Sequence, residues 1–249
     1  MTEISPQPRI RRRIAAWNIL LDARFPQEER VDDIAHTLAE QGDLDLVGLL
    51  EVQKTANQQN GEIIAQKLTQ TSGVWFPHSR KSSGEHTGVF GADVKKATTI
   101  DLGHKKKAVL TELGDVAIVL VHLRRQHKHF PRQPEQIAQV SALLEAVADY
   151  EKVIAMGDFN CLPFQMPRTM LRNAGFQSAY VELGEKRPRF PTNEFRDALS
   201  PRQKLGLALA GGAISIDDIY TRGMEDSLVS VTTFQGRSDH PGLLLEYGE

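Results

Sequence analysis

The chain has 249 residues, of which 40% are hydrophobic and 25% are charged, a balance typical of a globular protein and not of a disordered chain. Its net charge of -2 excludes a global positive field that would draw it to long duplex nucleic acid. The single cysteine, Cys161, excludes a disulfide framework within the chain. No signal-peptide pattern and no apolar run of membrane-helix length is present, so we expect a cytoplasmic monomer that does not insert into membranes.

The predicted elements are mostly β-strands, with a few amphipathic helices between them. Residues 1–12 are polar and basic, and we predict a flexible terminus followed by one domain at 13–249. In chain order, the predicted strands are residues 13–20, 44–52, 74–77, 88–94, 98–102, 108–113, 116–123, 152–156, 214–220, 227–234 and 243–247. The predicted helices are residues 27–41, 61–71 and 135–148, and residues 187–205 are predicted to be a long loop. Many strands with few helices favour two sheets packed face to face and covered by helices.

Polar side chains recur where the apolar predicted strands end. They are Asn18 after IAAW, Glu51 after LVGLL, His122 after IVLV, Asp158 and Asn160 after VIAMG, Asp217 after AISI, and Asp239 with His240 before the last strand. Polar residues commonly end strands and begin turns, and that interpretation is the better one for any single case. Taken together, however, these strand ends supply carboxylates, amides and two imidazoles. Because strand ends are rigid and can converge at one rim of a sandwich of two sheets, the set favours a single site there.

These side-chain types suit the hydrolysis of a phosphoester. Carboxylate and amide oxygens bind a hard cation such as Mg²⁺, which also binds substrate phosphate. The reaction requires neutralisation of the phosphoryl charge, alignment of a water molecule and stabilisation of the leaving oxygen. An aspartate paired with a histidine can hold one tautomer of the imidazole and stabilise its protonated form.

Six short strings resemble, in order, the motifs of the endonuclease/exonuclease/phosphatase superfamily. They are WNI (17–19), LLEV (49–52), VHL (121–123), GDFN (157–160), IDDI (216–219) and SDH (238–240). GDFN and SDH are the most specific, and the set extends over nearly the whole chain. The resemblance implies an α/β fold, a four-layer α/β sandwich in which two mixed β-sheets pack face to face and are flanked by helices.

The resemblance also implies a metal site and a water-orienting pair. It assigns Asn18 and Glu51 to the metal, and it makes Asp239 a further ligand of the metal or of its water network. It assigns Asp158 and Asn160 to the orientation of the attacking water and of the phosphate. The implied cofactor is Mg²⁺, with Mn²⁺ as an alternative.

The resemblance gives the two histidines different roles. His122 matches the histidine that contacts the phosphate in the deoxyribonuclease and sphingomyelinase branches. His240 matches the catalytic histidine, and Asp217 matches the aspartate that orients it. Asp218 stands where relatives usually carry an aromatic residue, so an exchange of roles between the two aspartates stays open.

Departures from the motifs bear on the substrate. Leu20 stands where abasic-site endonucleases carry an aspartate. The VHL string and the later Arg132-x-x-x-Gln136 resemble more the branch that contains tyrosyl-DNA phosphodiesterases and sphingomyelinases. The basic run at 124–129 follows the predicted site, and we select Arg124 as the candidate that meets a second phosphate or a nucleic-acid backbone. A solvated loop is the alternative for that run, and a solvated hairpin is the better interpretation of Lys105–Lys107.

We therefore expect a divalent-metal-dependent hydrolase of phosphoesters, foremost of phosphodiesters, as in a nuclease or a related phosphodiesterase. The alternatives are a phosphomonoesterase or a phosphatase for lipid or inositol headgroups. From another class, an inactive binding module is disfavoured because Glu51, Asp158 and His240 are all present. The expected partner is a phosphoester substrate, and nucleic acid remains one substrate class among several.

Overall fold

The computed structural model of the protein describes residues 10–19, 27–53, 60–68, 73–77, 85–94, 96–125, 133–192, 201, 204 and 214–248. In chain order the elements are β1 (Arg11–Asn18), α1 (Gln27–Ala39), β2 (Leu46–Gln53), α2 (Asn60–Lys67), β3 (Gly73–Pro77), β4 (Glu85–Phe90), β5 (Ala97–Asp101), β6 (Lys107–Leu113), β7 (Val116–His122), α3 (Pro134–Ala146), β8 (Lys152–Asp158), α4 (Met166–Asn173), β9 (Gln177–Ser178), α5 (Ala179–Glu182), β10 (Asp217–Arg222), β11 (Leu228–Phe234) and β12 (Gly242–Gly248).

The strands form two six-stranded sheets. The first has the order β11-β12-β1-β2-β4-β3, and the second has the order β5-β6-β7-β8-β10-β9. Both sheets are mixed, because β1 pairs with β2 in parallel and β7 pairs with β8 in parallel, while the neighbouring pairs are antiparallel. A helix lies between the members of each parallel pair in the chain, as a parallel connection requires.

Three hydrophobic clusters give the fold its four layers. One cluster lies between the sheets and includes Leu46, Leu50 and Leu120. The other two cover the outer faces, where α1 and α2 pack on the first sheet and α3 and α4 pack on the second. Strand β2 contributes to two clusters, since Val47 and Leu49 face the helices. The predicted burial of this strand on both faces and the predicted four-layer sandwich are confirmed.

The first strand begins earlier than the sequence predicted. β1 starts at Arg11, so Arg11 and Arg12 belong to the sheet and not to the flexible terminus predicted for residues 1–12. Arg12 is held there by Asp45 at 3.0 Å and by Asp93 at 2.9 Å. Residues 1–9 lie outside the described part of the chain.

Strand β8 corrects a second boundary. It was predicted to end at Met156, before Gly157, but it continues to Asp158. Gly157 has a φ of 129°, and a Cβ atom there would lie 2.4 Å from the carbonyl oxygen of Val121 on the neighbouring strand. Glycine therefore allows the strand to pass close to β7 and to carry Asp158 to its end.

The region after β8 contains elements that the sequence did not predict, namely α4, β9 and α5. Helix α4 has only 8 residues, with Pro167 in its first turn, and a segment of this length is shorter than the window over which helical periodicity is recognised. Of the predicted loop at 187–205, residues 187–192 form neither helix nor strand apart from a bridge between Phe190 and Ile214. In the remainder, the two described residues, 201 and 204, are helical, so the loop prediction is wrong at these two positions. Among the described helices, none has the length and apolar character required to cross a membrane.

Candidate active site

Strand ends of both sheets converge on one rim. In the second sheet, Asp158 pairs in register with His122 on one side and with Asp217 on the other. In the first sheet, Asn18 ends β1, and it lies close enough to Asp158 to hydrogen-bond with it. The structure brings together all eight residues that the sequence proposed for the catalytic and metal sites: Asn18, Glu51, His122, Asp158, Asn160, Asp217, Asp239 and His240. Six of them line a cleft of about 670 Å³. The other two, Asn18 and Asp217, contact lining residues, since Asn18 hydrogen-bonds to Asp158 and Asp217 to His240.

Glu51 reaches the cleft through an irregular backbone. Its φ of 55° is unusual for a residue that is not glycine, and the pairing of β2 with β4 shifts register between Leu49 and Val52. Oε1 of Glu51 lies 3.1 Å from Nε2 of His122, and Nδ2 of Asn18 donates to it at 3.3 Å. Burial raises the pKa of Glu51, but the hydrogen bond and the charge of His122 outweigh it and lower this pKa to about 2.

Asp158 is held by two asparagines. The backbone N and Nδ2 of Asn160 donate to its two carboxylate oxygens at 2.8 and 2.9 Å, and Nδ2 of Asn18 donates at 3.2 Å. Asn160 adopts a φ of 49°, which lets one residue supply both donors. Burial raises the pKa of Asp158, although the positive charges of His240 and His122 oppose the rise. The carboxylate is therefore fixed in orientation at the floor of the cleft.

His240 and Asp217 form a buried pair. Nδ1 of His240 lies 3.0 Å from both carboxylate oxygens of Asp217. The backbone of His240 is also held, since Nε1 of Trp17 donates to its carbonyl oxygen at 2.9 Å and its own N donates to Oγ of Ser238. Burial lowers the pKa of His240, but the charges of Asp217 and Asp158 outweigh it and raise this pKa to about 10.

The two neighbouring aspartates of the IDDI string face different partners. Asp217 faces His240, whereas Asp218 points away from the cleft and accepts from NH1 of Arg168 at 2.5 Å and from Oγ of Ser178 at 2.7 Å. Side chains alternate along a strand, so only one of two consecutive residues can point into the site. The geometry therefore favours Asp217 as the partner of the histidine.

The donor set fits a hard divalent cation. Oδ1 of Asp239 is buried and has no hydrogen-bond partner among the described residues. Burial raises the pKa of Asp239, and the negative charge of Glu51 adds to the rise. Ligand atoms of Glu51, His122 and Asp158 lie within 4.8 Å of one another. Carboxylate oxygens gathered in this way are the ligand type that a hard divalent cation prefers.

Comparison with known proteins bears on the fold. No family model and no curated protein matches the sequence. Solved structures match over nearly the whole chain. D. rerio TDP2 complexed with single-strand DNA product has a TM-score of 0.70 at 15% identity, covering 96% of this chain and 99% of that one. An endonuclease/exonuclease/phosphatase from Bacteroides vulgatus has a TM-score of 0.71 at 16% identity, covering 96% and 98%. The chain has the endonuclease/exonuclease/phosphatase fold.

A third structure agrees with this assignment. An endonuclease/exonuclease/phosphatase family protein from Leptotrichia buccalis has a TM-score of 0.67 at 14% identity, covering 94% of this chain and 98% of that one. Because the identities are low, the likeness concerns the fold, and the function must be argued from the site of this chain.

One wall of the cleft in this endonuclease/exonuclease/phosphatase fold is basic. Lys106, Arg124 and Arg125 line it. Arg124, the predicted substrate-binding residue, is engaged by Glu135, whose two carboxylate oxygens lie 3.2 Å from NH1 and 3.1 Å from Nε. Arg125 is exposed, and residues 126–132 lie outside the described part of the chain. Arg124 is therefore near the site, but its charge is already paired.

The sequence analysis missed two side chains of the cleft region. Nζ of Lys106 lies 3.3 Å from both ring nitrogens of His122, although its basic stretch predicts a solvated hairpin. The ring of Phe190 lies 4.5 Å from that of His240. Neither has a local sequence signal, because each depends on a contact between distant segments. Gln136, which the resemblance does include, donates through Nε2 to the carbonyl oxygens of Arg124 and Asn160.

Proposed function

We propose that this protein hydrolyses phosphoesters with the help of a divalent cation, and that phosphodiesters are its substrates. One observation carries the proposal. Nε2 of His240 faces Asp158 at 3.9 Å and Asp239 at 4.0 Å, while its Nδ1 is held by Asp217. An oriented imidazole and several converging carboxylates thus face one space, and phosphoester hydrolysis makes use of both.

The residues proposed to hold the cation are Asn18, Glu51 and Asp239. Their oxygen atoms suit Mg²⁺, with Mn²⁺ as the alternative. When bound, the cation would neutralise charge on the phosphoryl oxygens and make the phosphorus more susceptible to attack by water. The support comes from Oδ1 of Asp239, which is buried and has no hydrogen-bond partner among the described residues, and from the ligand atoms of His122 and Asp158 that lie near that of Glu51.

Asp158 is proposed to orient the attacking water. Hydrogen bonds from Asn160 and Asn18 fix its carboxylate before the substrate arrives. A water hydrogen-bonded to this fixed carboxylate is already oriented for attack. It therefore loses less entropy on reaching the transition state than a free water would, and the activation free energy of hydrolysis is lower. Asn160 is proposed to keep the carboxylate in place, because its side chain also donates to the carbonyl oxygen of Leu123.

His240 is proposed to act on the phosphoryl group through Nε2. Because Asp217 lies at Nδ1, the ring keeps one orientation, and its positive form is stabilised. An imidazolium held in this way stabilises the negative charge that grows in the transition state without reorganising at the moment of reaction. His122 lies on the side of Asp158 opposite to Asp217, and it is proposed to contact the phosphate.

The size and lining of the cleft support a diester as the substrate. Its volume is about 670 Å³, and its lining includes the basic residues Lys106, Arg124 and Arg125 as well as the aromatic Phe190. A diester carries an organic group on each side of the phosphorus, and basic and aromatic side chains can bind such groups.

The test is a substrate screen in Mg²⁺ or Mn²⁺ with bis-p-nitrophenyl phosphate, p-nitrophenyl phosphate, oligonucleotides, sphingomyelin and inositol phosphates. We expect turnover of diesters that is lost in excess chelator and lost in His240→Ala. His36→Ala is the matched control, since His36 is an exposed histidine on α1. Turnover of monoesters alone would support the phosphatase alternative, and binding without turnover of any substrate would support the binding module.

A further inference from the structure

Arg168 is a fully buried arginine directly behind the cleft. It lies on α4 and is 0% exposed. Its NH1 donates to Oδ2 of Asp218 at 2.5 Å, and its NH2 donates to the carbonyl oxygens of Ser215 at 3.2 Å and Ile216 at 2.8 Å. One guanidinium therefore binds the two residues before Asp217 and the residue after it.

The same guanidinium also contacts the strand end that carries Asp158. It lies over the ring of Phe159 at 5.2 Å and over that of Tyr220 at 5.8 Å. The backbone N of Phe159 donates in turn to the carbonyl oxygen of Ile216 at 3.0 Å. Arg168 is thus packed between the segment that presents Asp158 and the segment that presents Asp217.

A buried ion pair is a costly way to fill this space. Removing two charges from water carries a penalty, and well-packed hydrophobic side chains often stabilise a fold equally well. The guanidinium offers something that an apolar side chain cannot, because its rigid fork binds several acceptors at once in fixed directions. Its acceptors here are those that flank the partner of His240.

We propose that Arg168 and Asp218 are positioning residues, which together hold the carboxylate of Asp217 against Nδ1 of His240 and fix this pair relative to Asp158. The expected effect of these residues on kcat rests on the proposed function, but their expected effect on the contact between His240 and Asp217 does not. Asp218 also binds the segment that leads to Phe190 in the wall of the cleft, since Nε of Arg187 lies 3.3 Å from Oδ2 of Asp218.

The test uses three variants and one matched control. Arg168→Met removes the guanidinium and leaves Asp218 unpaired, and Arg168→Lys keeps a cation beside it. The double variant Arg168→Met with Asp218→Asn removes both charges together and so avoids a lone buried charge. The control is Arg222→Met at the far end of β10, where the guanidinium likewise donates to two backbone carbonyl oxygens and lies over a ring, that of Phe176.

Two readouts separate positioning from general stability. The first is the low-field proton resonance of Nδ1–H of His240, which reports its hydrogen bond to Asp217 and requires no substrate. We expect it to shift or broaden in the double variant and to stay unchanged in Arg222→Met. The second is kinetic: we expect kcat of the double variant to fall about 10- to 100-fold, as small misplacements do, with little change in KM. Arg168→Lys should recover part of that loss.

A folded double variant with the wild-type resonance and wild-type kcat would overturn the proposal. So would unfolding of all three variants while Arg222→Met stays folded, because the pair would then serve stability alone. If no substrate is turned over by the wild-type protein, the proposed function fails, and the proton resonance still decides whether Arg168 positions Asp217.

Discussion

Nδ1 of His240 lies 3.0 Å from each carboxylate oxygen of Asp217, and both side chains are buried. The contact joins the two sheets, because Asp217 begins β10 in the second sheet and His240 lies two residues before β12 in the first. The orientation of the imidazole therefore depends on the docking of one sheet on the other, and the first prediction concerns this pair.

Loss of His240 or Asp158 should lower turnover far more than substrate binding. A positioned acid-base group contributes about 10²–10⁴-fold, so we expect His240→Ala and Asp158→Ala to lose kcat in or beyond that range with little change in KM. Asp217→Asn should cost less than His240→Ala, because the imidazole remains but is poorly oriented. Steady-state kinetics on a diester from the screen measures this. Near wild-type kcat in folded His240→Ala would refute the mechanism.

The neighbouring aspartate, Asp218, should contribute to stability as well as to the positioning of Asp217. Asp218→Asn leaves Arg168 buried without its charged partner, and breaking such a pair costs about 3–5 kcal/mol. For a chain of this size the melting temperature should fall by roughly 6 to 20 °C. We expect kcat to fall less than in Asp217→Asn. Thermal unfolding and kinetics of both variants measure the difference, and the opposite order of kcat losses would assign Asp218 to the histidine.

Removal of the cation should abolish activity, and Glu51→Gln should weaken its binding. The change replaces a charged oxygen ligand of a hard ion with a neutral one. Titration of Mg²⁺ or Mn²⁺ into chelator-treated protein should raise the melting temperature of the wild type at lower concentration than that of Glu51→Gln. Glu40→Gln is the control, since Glu40 is exposed and pairs only locally with His36. Full activity in excess chelator would contradict the cation requirement.

Arg124 and Glu135 should have opposite effects on substrate affinity. Arg124→Ala is expected to raise KM for substrates with a second phosphate more than it lowers kcat, because the residue lies away from the bond that breaks. Glu135→Gln should lower KM for the same substrates, since it weakens the ion pair that engages Arg124. Both effects should shrink at high salt. Equal KM values for both variants and wild type across substrates would exclude Arg124 from binding.

The sequence predicted the fold and the gathering of polar strand ends because both follow from local patterns. Continuous apolar runs located β7 and β8, and the polar residue that follows such a run lies at the rim of the sheet, as His122 does. Contacts between side chains that are distant in the sequence have no such local pattern, so the sequence did not predict them. Arg124 looked available in the sequence, but Glu135, eleven residues later, engages it through the first turn of α3. Lys106 looked solvated, yet the hairpin between β5 and β6 brings it to His122.

Register in the second sheet has a consequence for how the proposed active site assembles as the chain folds. His122, Asp158 and Asp217 stand side by side on three adjacent strands, so backbone pairing of that sheet alone assembles this half of the site. Asn18 and His240 arrive only when the first sheet docks. Recovery of turnover during refolding should thus lag behind formation of secondary structure and report the docking step. A one-residue slip of β8 would turn Asp158 to the helix-covered face, so a misregistered chain would be compact, rich in strands and catalytically silent.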